Sequence, residues 1–208
     1  MRKINRVIHR KKQVIFLGFA KLHKKIGGHF GIPVWSCNNF FVHFKTSDCA
    51  VDRVYQIHAV DKPNLAQGWE KAYNEVGEYV CVDPELALGH GKIFDFDRFH
   101  TPHGDLMCGS TFSYMFADAI AEGVDLIELK GVRLAQKDEY YCQLPSTLHN
   151  IDVARANGVV VIAEYEQIWR NKFEKSIKNK EIEVYLDYGV HNKKTLVQFT
   201  DIGVYKTL

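Results

Sequence analysis

The sequence predicts an α/β fold with a mainly parallel sheet, helices on both faces of the sheet and a C-terminal antiparallel hairpin. Short, continuous runs of apolar residues are typical of strands that are buried on both faces of a parallel sheet. Segments with helical periodicity stand between these runs, which favours parallel strands joined by helical crossovers. The C-terminal tail instead alternates apolar and polar residues, and this pattern indicates an antiparallel hairpin.

The strands are predicted where the apolar runs lie. The first run ends in Gly18, and a later run stops at Asp83 and Pro84. Glycine and proline are the usual residues at which a strand gives way to a turn. We therefore expect strands at residues 14–18, 32–37, 51–60, 79–82, 125–130 and 159–163.

The clearest helix is predicted at residues 110–122, because its apolar residues share one face and Gly123 ends it. A second amphipathic helix is predicted at residues 146–156, with Ser146 or Thr147 as its N-cap. We further expect a helical excursion at 62–77, a loop without regular structure at 86–105, and hairpin strands at 181–188 and 195–205.

The composition indicates one globular domain. The chain has 208 residues, of which 46% are hydrophobic, and this is enough to bury one core. We divide it into a basic arm at 1–13, the main α/β domain at 14–175 and a hairpin appendage at 176–208. No apolar run approaches the roughly 18 residues of a membrane span, and no signal-peptide pattern is present. We therefore expect a cytoplasmic protein without a membrane partner.

Cysteine content and charge narrow the function classes further. The five cysteines are scattered and form no CxxC pair, which favours reduced thiols over disulfides or a zinc site. The net charge of +2 does not demand nucleic acid as a partner. The basic arm could contact nucleic-acid phosphates or be a solvated tail, and both readings stay open. A homo-oligomer also stays open.

Several turns follow the predicted strands, and ligands of an open parallel sheet bind beyond the carboxyl ends of its strands. Gly18 would let a phosphate or ribose approach the backbone, although a plain tight turn explains it equally well. The amides of Asn38 and Asn39 could read a base or ribose, or simply favour a turn. Ser110 and Thr111 open the clearest helix, where hydroxyls and free N–H groups suit an anion, while Ser110 alone could be an N-cap.

Other polar residues suit a transfer reaction. His58 and Asp61 follow the third predicted strand and could accept a proton from a hydroxyl group. After the fifth strand come Arg133, Tyr140, Tyr141 and Gln143. Arginine and tyrosine can donate hydrogen bonds to a diphosphate leaving group, where negative charge develops. A polar loop without a ligand is the alternative for this segment.

A second cluster of polar residues invites a metal, because it combines histidines with carboxylates. Their spacing matches no standard metal-binding motif, so we expect no metal there. The cluster comprises His90, Asp95, Asp97, His100, His103, Asp105 and Cys108.

Five segments in the same order resemble a group of small Rossmann-like proteins, often encoded by phages. The group is related to the archaeal 6-hydroxymethylpterin diphosphokinases, to motility-associated glycosyltransferases and to bacterial lipooligosaccharide sialyltransferases. The segments are VIFLGFA at 14–20, VWSCNNFF at 34–41, DRVYQIHAVDK at 52–62, GSTFSYMFADAIAEGVDLIELKGVRL at 109–134 and EYYCQLPSTLHNIDVARANGVVV at 139–161.

The resemblance implies a nucleotide site. In sialyltransferase-like members the counterpart of Asn38 and the turn before the long helix contact the nucleotide, and tyrosines after the following strand support its phosphate. Carried over onto this sequence, these positions are Gly18, Asn38, Ser110, Thr111, Tyr140 and Tyr141.

The resemblance also implies a function. We expect a nucleotide-dependent transferase of glycosyltransferase-like type, phage-encoded, with a nucleotide sugar as donor, a hydroxyl acceptor and no tightly bound cofactor. Two alternatives remain: a diphosphokinase-like transferase, and a nucleotide-binding protein without catalysis. The sequence departs from the group at Ala20–Leu22, at Arg133, where relatives carry an acid, and at Leu144 in place of an arginine. The charge reversal at Arg133 puts divalent-metal chemistry in doubt.

Overall fold

The structure is a computed structural model, and it describes residues 11–19, 31–43, 50–58, 66–134, 137–177, 181–185, 194–199 and 205–207. Side chains are described up to residue 174, except those of residues 137–141. Most of the predicted basic arm, residues 1–10, lies outside the described part of the chain.

Many of the strands lie at or within the predicted apolar runs. The strands are β1 (Gln13–Leu17), β2 (Val34–Cys37), β3 (Arg53–Gln56), β4 (Glu78–Cys81), β5 (Lys92–Ile93), β6 (His100–Thr101), β7 (Gly104–Asp105), β8 (Leu126–Lys130), β9 (Val160–Ala163), β10 (Glu181–Tyr185), β11 (Lys194–Phe199) and β12 (Tyr205–Thr207). The helices are α1 (Phe40–His43), α2 (Trp69–Asn74), α3 (Thr111–Ala121), α4 (Lys137–Ala156) and α5 (Glu166–Ile177).

Seven strands form one parallel sheet in the order β5-β4-β3-β2-β1-β8-β9. Successive strands are added on one side of β1 up to β5, and β8 and β9 lie on its other side. The order of the strands therefore reverses between β1 and β8. The parallel Rossmann-like α/β fold predicted from the apolar runs is confirmed.

Helices cover both faces of this sheet because the strands present apolar residues alternately to either side. Phe16 of β1 packs edge-on against Phe116 of α3, at a ring centroid distance of 5.2 Å. On the opposite face, Val54 of β3 belongs to the cluster that includes Phe40 of α1 and Tyr73 of α2. No helix of the described residues is long and apolar enough to cross a membrane.

The direction of α3 follows from its contacts with β3. Tyr55 donates to Asp118, with 2.9 Å between the oxygens, and Arg53, nearer the start of β3, donates to Glu122 at 2.8 Å. Later residues of α3 thus face earlier residues of β3, so the helix runs antiparallel to the strand. Its N-terminus consequently lies at the edge of the sheet where the parallel strands end, here called the carboxyl edge.

Two predictions about secondary structure are wrong in detail. The segment 86–105 is not an irregular loop, because it contains the edge strand β5 and the β6–β7 hairpin. Helix α4 begins at Lys137, not at residue 146, and it continues through Pro145. The hydroxyls of Ser146 and Thr147 donate to the carbonyl oxygen of Gln143 within the helix, at 2.9 and 3.0 Å, and do not cap its start.

The C-terminal hairpin is present as the antiparallel pair β10–β11, and β12 adds a third strand beside β11. The prediction placed its strands at 181–188 and 195–205. Strands β10 and β11 lie at these places, and residues 186–193 and 200–204 are outside the described part of the chain.

Candidate functional site

Two glycines meet where the strand order reverses. The Gly18 N–H, directly after β1, donates to the carbonyl oxygen of Lys130 at the end of β8, at 2.9 Å. A Cβ on Gly18 would lie 2.6 Å from the carbonyl oxygen of Gly131, closer than non-bonded atoms approach. Gly131 itself has a φ of 64°, in the left-handed region that favours glycine. The turns after β1 and β8 therefore pack main chain against main chain. We call this pair of turns, at the place where an open sheet is expected to form a crevice, the glycine floor.

Asn38 follows β2 in a strained turn. Its φ is 44°, which is uncommon for any residue but glycine and is tolerated best by asparagine and aspartate. Its N–H donates to the carbonyl oxygen of Tyr55 at 3.0 Å, and its own carbonyl oxygen accepts from the Tyr73 hydroxyl at 2.7 Å. The side-chain Oδ1 is buried and has no hydrogen-bond partner among the described residues.

Asn39 has a different environment from its neighbour. Its Oδ1 accepts from the N–H of Ala66 at 2.8 Å, and its carbonyl oxygen accepts from the N–H of Val42 at 3.0 Å. These bonds tie the start of α1 to the segment that leads into α2. The two adjacent amides, which the sequence presents as a pair, therefore do different things.

The end of β3 carries two buried polar side chains, Gln56 and His58. His58, predicted as a proton acceptor, is 7% exposed, and its N–H donates to Oε1 of Gln56 at 3.3 Å. Gln56 is fully buried, and its Nε2 has no hydrogen-bond partner among the described residues. Gln56 was not among the predicted site residues, although a glutamine inside an apolar strand is a signal that could have identified it.

The start of α3 is a dense hydrogen-bond network. Ser110 and Ser113 form a capping box, and Oγ of Ser113 accepts from the N–H of Ser110 at 3.1 Å and from Nδ2 of Asn150 at 3.0 Å. Asn150, on α4, also exchanges two hydrogen bonds with the main chain of Met107, at 2.8 and 2.9 Å. Ser110 is fully buried and Thr111 is 5% exposed. Sequence reasoning missed Ser113 and Asn150, which hold this turn in place.

Arg133 lies in the segment between β8 and α4, and its side chain is exposed. Its guanidinium carbon stands 5.3 Å from the ring centroid of Tyr165, and Nη2 donates to the Tyr165 hydroxyl at 3.4 Å. Tyr165 follows β9, so both residues belong to the carboxyl edge. The exposed cation is thus held over an aromatic ring.

The remaining predicted site residues are placed as follows. Tyr140, Tyr141 and Gln143 lie on α4 and not in a loop; Gln143 is 6% exposed, and the side chains of the two tyrosines lie outside the described part. Asp61 also lies outside it. The structure therefore places Gly18, Asn38, His58, Ser110, Thr111 and Arg133 at the same edge of the sheet.

The polar loop considered for a metal has contacts of its own. Nδ1 of His100 lies 3.0 Å from Oδ1 of Asp105, and this hydrogen bond raises the pKa of His100 above its usual value. Nε2 of His149 lies 2.9 Å from the carbonyl oxygen of Asp105. Within the described ranges, no three side chains of the metal-binding types come together.

A buried ionic network occupies the opposite, amino-terminal edge of the sheet. Asp118, 1% exposed, accepts from Tyr55 at 2.9 Å and from Arg98 at 2.6 Å, while Arg53 reaches Glu122 and Glu78. Burial raises the pKa of Asp118 and that of Tyr55. Perturbed pKa values often mark functional sites, but these groups satisfy one another and lie away from the strand ends. We assign this network to stability.

Comparison with known proteins yields two solved structures, whereas no family model and no curated protein matches the sequence. The first is the sialyltransferase CstII from Campylobacter jejuni in complex with a substrate analogue, cytidine-5'-monophosphate. It is 14% identical, with a TM-score of 0.43 over 73% of this chain and 79% of that chain. The second is a variant of the same enzyme in complex with CMP, at 15% identity, with a TM-score of 0.38 over 95% and 94% of the two chains. At this level of similarity, the function of the chain has to be argued from its own residues.

Proposed function

We propose that this protein is a nucleotide-dependent transferase of glycosyltransferase-like type, which binds its donor at the carboxyl edge between β1 and β8. The observation that carries the proposal is the contact of Gly18 with Gly131 at the reversal of strand order. In open α/β sheets, ligands bind beyond the strand ends at this point. The resemblance of the five sequence segments to nucleotide-binding relatives supports the same place.

Residues around this floor suit the parts of a nucleotide sugar. The start of α3, with the Thr111 hydroxyl, offers donors and a helix dipole to the phosphates. Asn38 offers an amide to the ribose, the base or the sugar. Arg133, held by Tyr165, is an exposed cation that can stabilise the negative charge on a departing phosphate.

The proposed reaction transfers the sugar to a hydroxyl group. The acceptor oxygen forms a bond to the anomeric carbon while the bond from that carbon to the phosphate oxygen breaks. The nucleoside phosphate leaves with the electron pair, and the hydroxyl proton passes to a base, for which His58 is the candidate among the described residues. His58 is nearly buried, an observation that favours the second candidate function, nucleotide binding without turnover.

Titration calorimetry with nucleoside mono- and diphosphates and nucleotide sugars tests the proposal. Thr111→Ala should weaken binding tenfold to a hundredfold, as expected for one lost hydrogen bond to a charged phosphate at about 1.5–3 kcal/mol. Asn38→Ala should weaken it by up to about tenfold, as expected for a hydrogen bond to a neutral group at about 0.5–1.5 kcal/mol. His149→Ala is the control, because His149 contacts the Asp105 carbonyl on the β6–β7 hairpin. If the protein binds a nucleotide and neither variant loses affinity, the ligand lies elsewhere.

Turnover is tested separately. Release of a nucleoside phosphate from a nucleotide sugar supports the glycosyltransferase-like reaction. Transfer of a diphosphate from a nucleoside triphosphate would support the diphosphokinase alternative. Tight binding with neither product supports the non-catalytic alternative.

A further inference from the structure

Four buried side-chain atoms lack a hydrogen-bond partner among the described residues: Oδ1 of Asn38, Nε2 of Gln56, the Tyr79 hydroxyl and Nε1 of Trp169. Asn38 and Gln56 stand at the ends of neighbouring strands, β2 and β3. The N–H of Asn38 donates to the carbonyl oxygen of Tyr55, the residue immediately before Gln56. The two residues are therefore neighbours across the sheet.

A buried polar atom without a partner costs free energy, and more than nine in ten buried polar groups are paired. The orientation of the Gln56 amide is fixed by its other atom, because Oε1 accepts from the His58 N–H. Nε2 is thus held as a donor that has no acceptor among the described residues. The structure keeps this donor fully buried inside a strand, where an apolar side chain would carry no such cost.

We propose that Gln56 and Asn38 form a polar subsite for the part of the ligand that is distant from its phosphates. The proposal rests on the proposed function. Strands lie about 4.8 Å apart, so the end of β3 is about 10 Å from the glycine floor at β1. The group recognised is neutral and offers an acceptor to Gln56 and a donor to Asn38. Sugar hydroxyls and the edge of a base share this chemistry.

The sequence suggests Asn38 and Asn39 as a pair of ligand-binding amides, whereas the proposed subsite pairs Asn38 with Gln56. Oδ1 of Asn39 already accepts from Ala66, so its amide holds the local turn. Gln56, which lies far from Asn38 in the sequence, supplies the second amide instead.

Calorimetry with Gln56→Met and Gln56→Glu tests the subsite. Both variants remove the Nε2 donor, and Gln56→Glu keeps the shape of the side chain and an acceptor for the His58 N–H. The probes are a nucleoside monophosphate, the matching nucleotide sugar and ribose 5-phosphate. We expect about a tenfold loss of affinity for the nucleotide sugar and none for ribose 5-phosphate. If the variants also lose affinity for the nucleoside monophosphate, the subsite binds the base. If they keep that affinity, the subsite binds the transferred sugar.

Tyr79→Phe is the control, since it removes another buried polar atom near the start of β4 and should leave all three affinities unchanged. Unchanged affinities in both Gln56 variants overturn the subsite and leave the proposed function standing. An equal loss for ribose 5-phosphate overturns its location. If the wild-type protein binds none of the probes, the proposed function and the subsite fall together.

Discussion

The hydroxyl of Tyr73 donates to the carbonyl oxygen of Asn38, with 2.7 Å between the two oxygens. Tyr73 lies on α2 and is fully buried, so this bond joins a helix on one face of the sheet to the turn after β2. Burial raises the pKa of Tyr73 well above its usual value, which keeps the hydroxyl protonated and able to donate. The left-handed conformation of Asn38 is thus held from outside the turn.

Tyr73→Phe should therefore weaken both the fold and the candidate site. The lost hydrogen bond should lower the free energy of unfolding by about 1 kcal/mol, and the released turn should lower nucleotide affinity. Chemical denaturation and calorimetry measure the two effects. Tyr79→Phe is the matched control, because the Tyr79 ring packs against that of Tyr73. An equal loss of nucleotide affinity in Tyr79→Phe would contradict the role of the Asn38 turn.

Gly18→Ala should disturb the crevice floor. The new methyl group would lie 2.6 Å from the Gly131 oxygen, so the turn after β8 must shift, at a cost of about 1–3 kcal/mol and with loss of nucleotide binding. Gly158→Ala is the control, because its φ of 83° strains an alanine by about 1 kcal/mol although nothing lies within 4 Å of the added carbon. Full affinity in a folded Gly18→Ala protein would show that the floor does not contact the ligand.

Asp118→Ala should lower the free energy of unfolding without changing the nucleotide affinity. Removing this carboxylate leaves the buried Tyr55 hydroxyl without its acceptor and takes from Arg98 its shortest ion pair, while Arg53 keeps Glu122; a buried donor without a partner typically costs about 1–3 kcal/mol. Asp152→Ala, which removes an exposed ion pair with Arg170, should cost less than about 1 kcal/mol. Urea denaturation gives both values. A loss of nucleotide affinity in folded Asp118→Ala would mean that the amino-terminal edge also serves the site.

The pairing of α4 with α5 should depend on pH. Glu166 accepts from Arg155 and Arg170, and these bonds lower the pKa of Glu166 below its ordinary value of 4.5. The contribution of the carboxylate to stability is therefore complete above pH 4.5 and is lost as the pH falls through the lower, folded-state pKa.

Glu166→Gln should consequently lower the free energy of unfolding by about 1 kcal/mol at neutral pH, since solvent screens these partly exposed charges. The difference from the wild-type protein should vanish in acid. Urea denaturation over a series of pH values checks this. A difference that is constant from neutral to acid pH would show that the ionised carboxylate is not its source.

Tyr165→Leu should reduce turnover through Arg133 if the transfer reaction takes place. Without the ring and its hydroxyl, the guanidinium loses both described contacts and is no longer held in one orientation. We expect kcat to fall about tenfold with little change in KM, because the stabilised charge develops only as the bond breaks. In an Arg133→Ala background, Tyr165→Leu should have no further effect, and an additive loss would contradict positioning.

The apolar runs predicted six strands of the main sheet because burial on both faces leaves a signal in the local sequence. Strand β5 escaped prediction, since a two-residue strand has no period. The start of α4 was also missed, because Pro145 is typical of a helix boundary, whereas the helix continues through it. Local sequence patterns predict the longer strands and helices, but not a two-residue strand or a helix that contains a proline.

The strand ends could be located from the sequence, but the hydrogen-bond partners of each side chain could not. Asn38 and Asn39 look equivalent in the sequence, yet one amide oxygen is unpartnered and the other is bonded to Ala66. Gln56 is revealed by a missing bond, and a missing bond is a property of the folded arrangement. The same holds for Asn150, whose partners at Met107 and Ser113 are distant in the chain.

The place of β1 in the sheet has a consequence for how the chain is made. Gln13 pairs with Leu126, which is 113 positions later. During synthesis, β2, β3 and β4 leave the ribosome early, while β1 waits with one apolar edge uncovered until residue 130 has emerged. Such long-range parallel pairing slows folding and leaves a strand edge open to other chains. The pair β1–β8 is thus joined late, with only β9 still to be added to the sheet, and we expect the nascent chain to need protection by chaperones until the two strands meet.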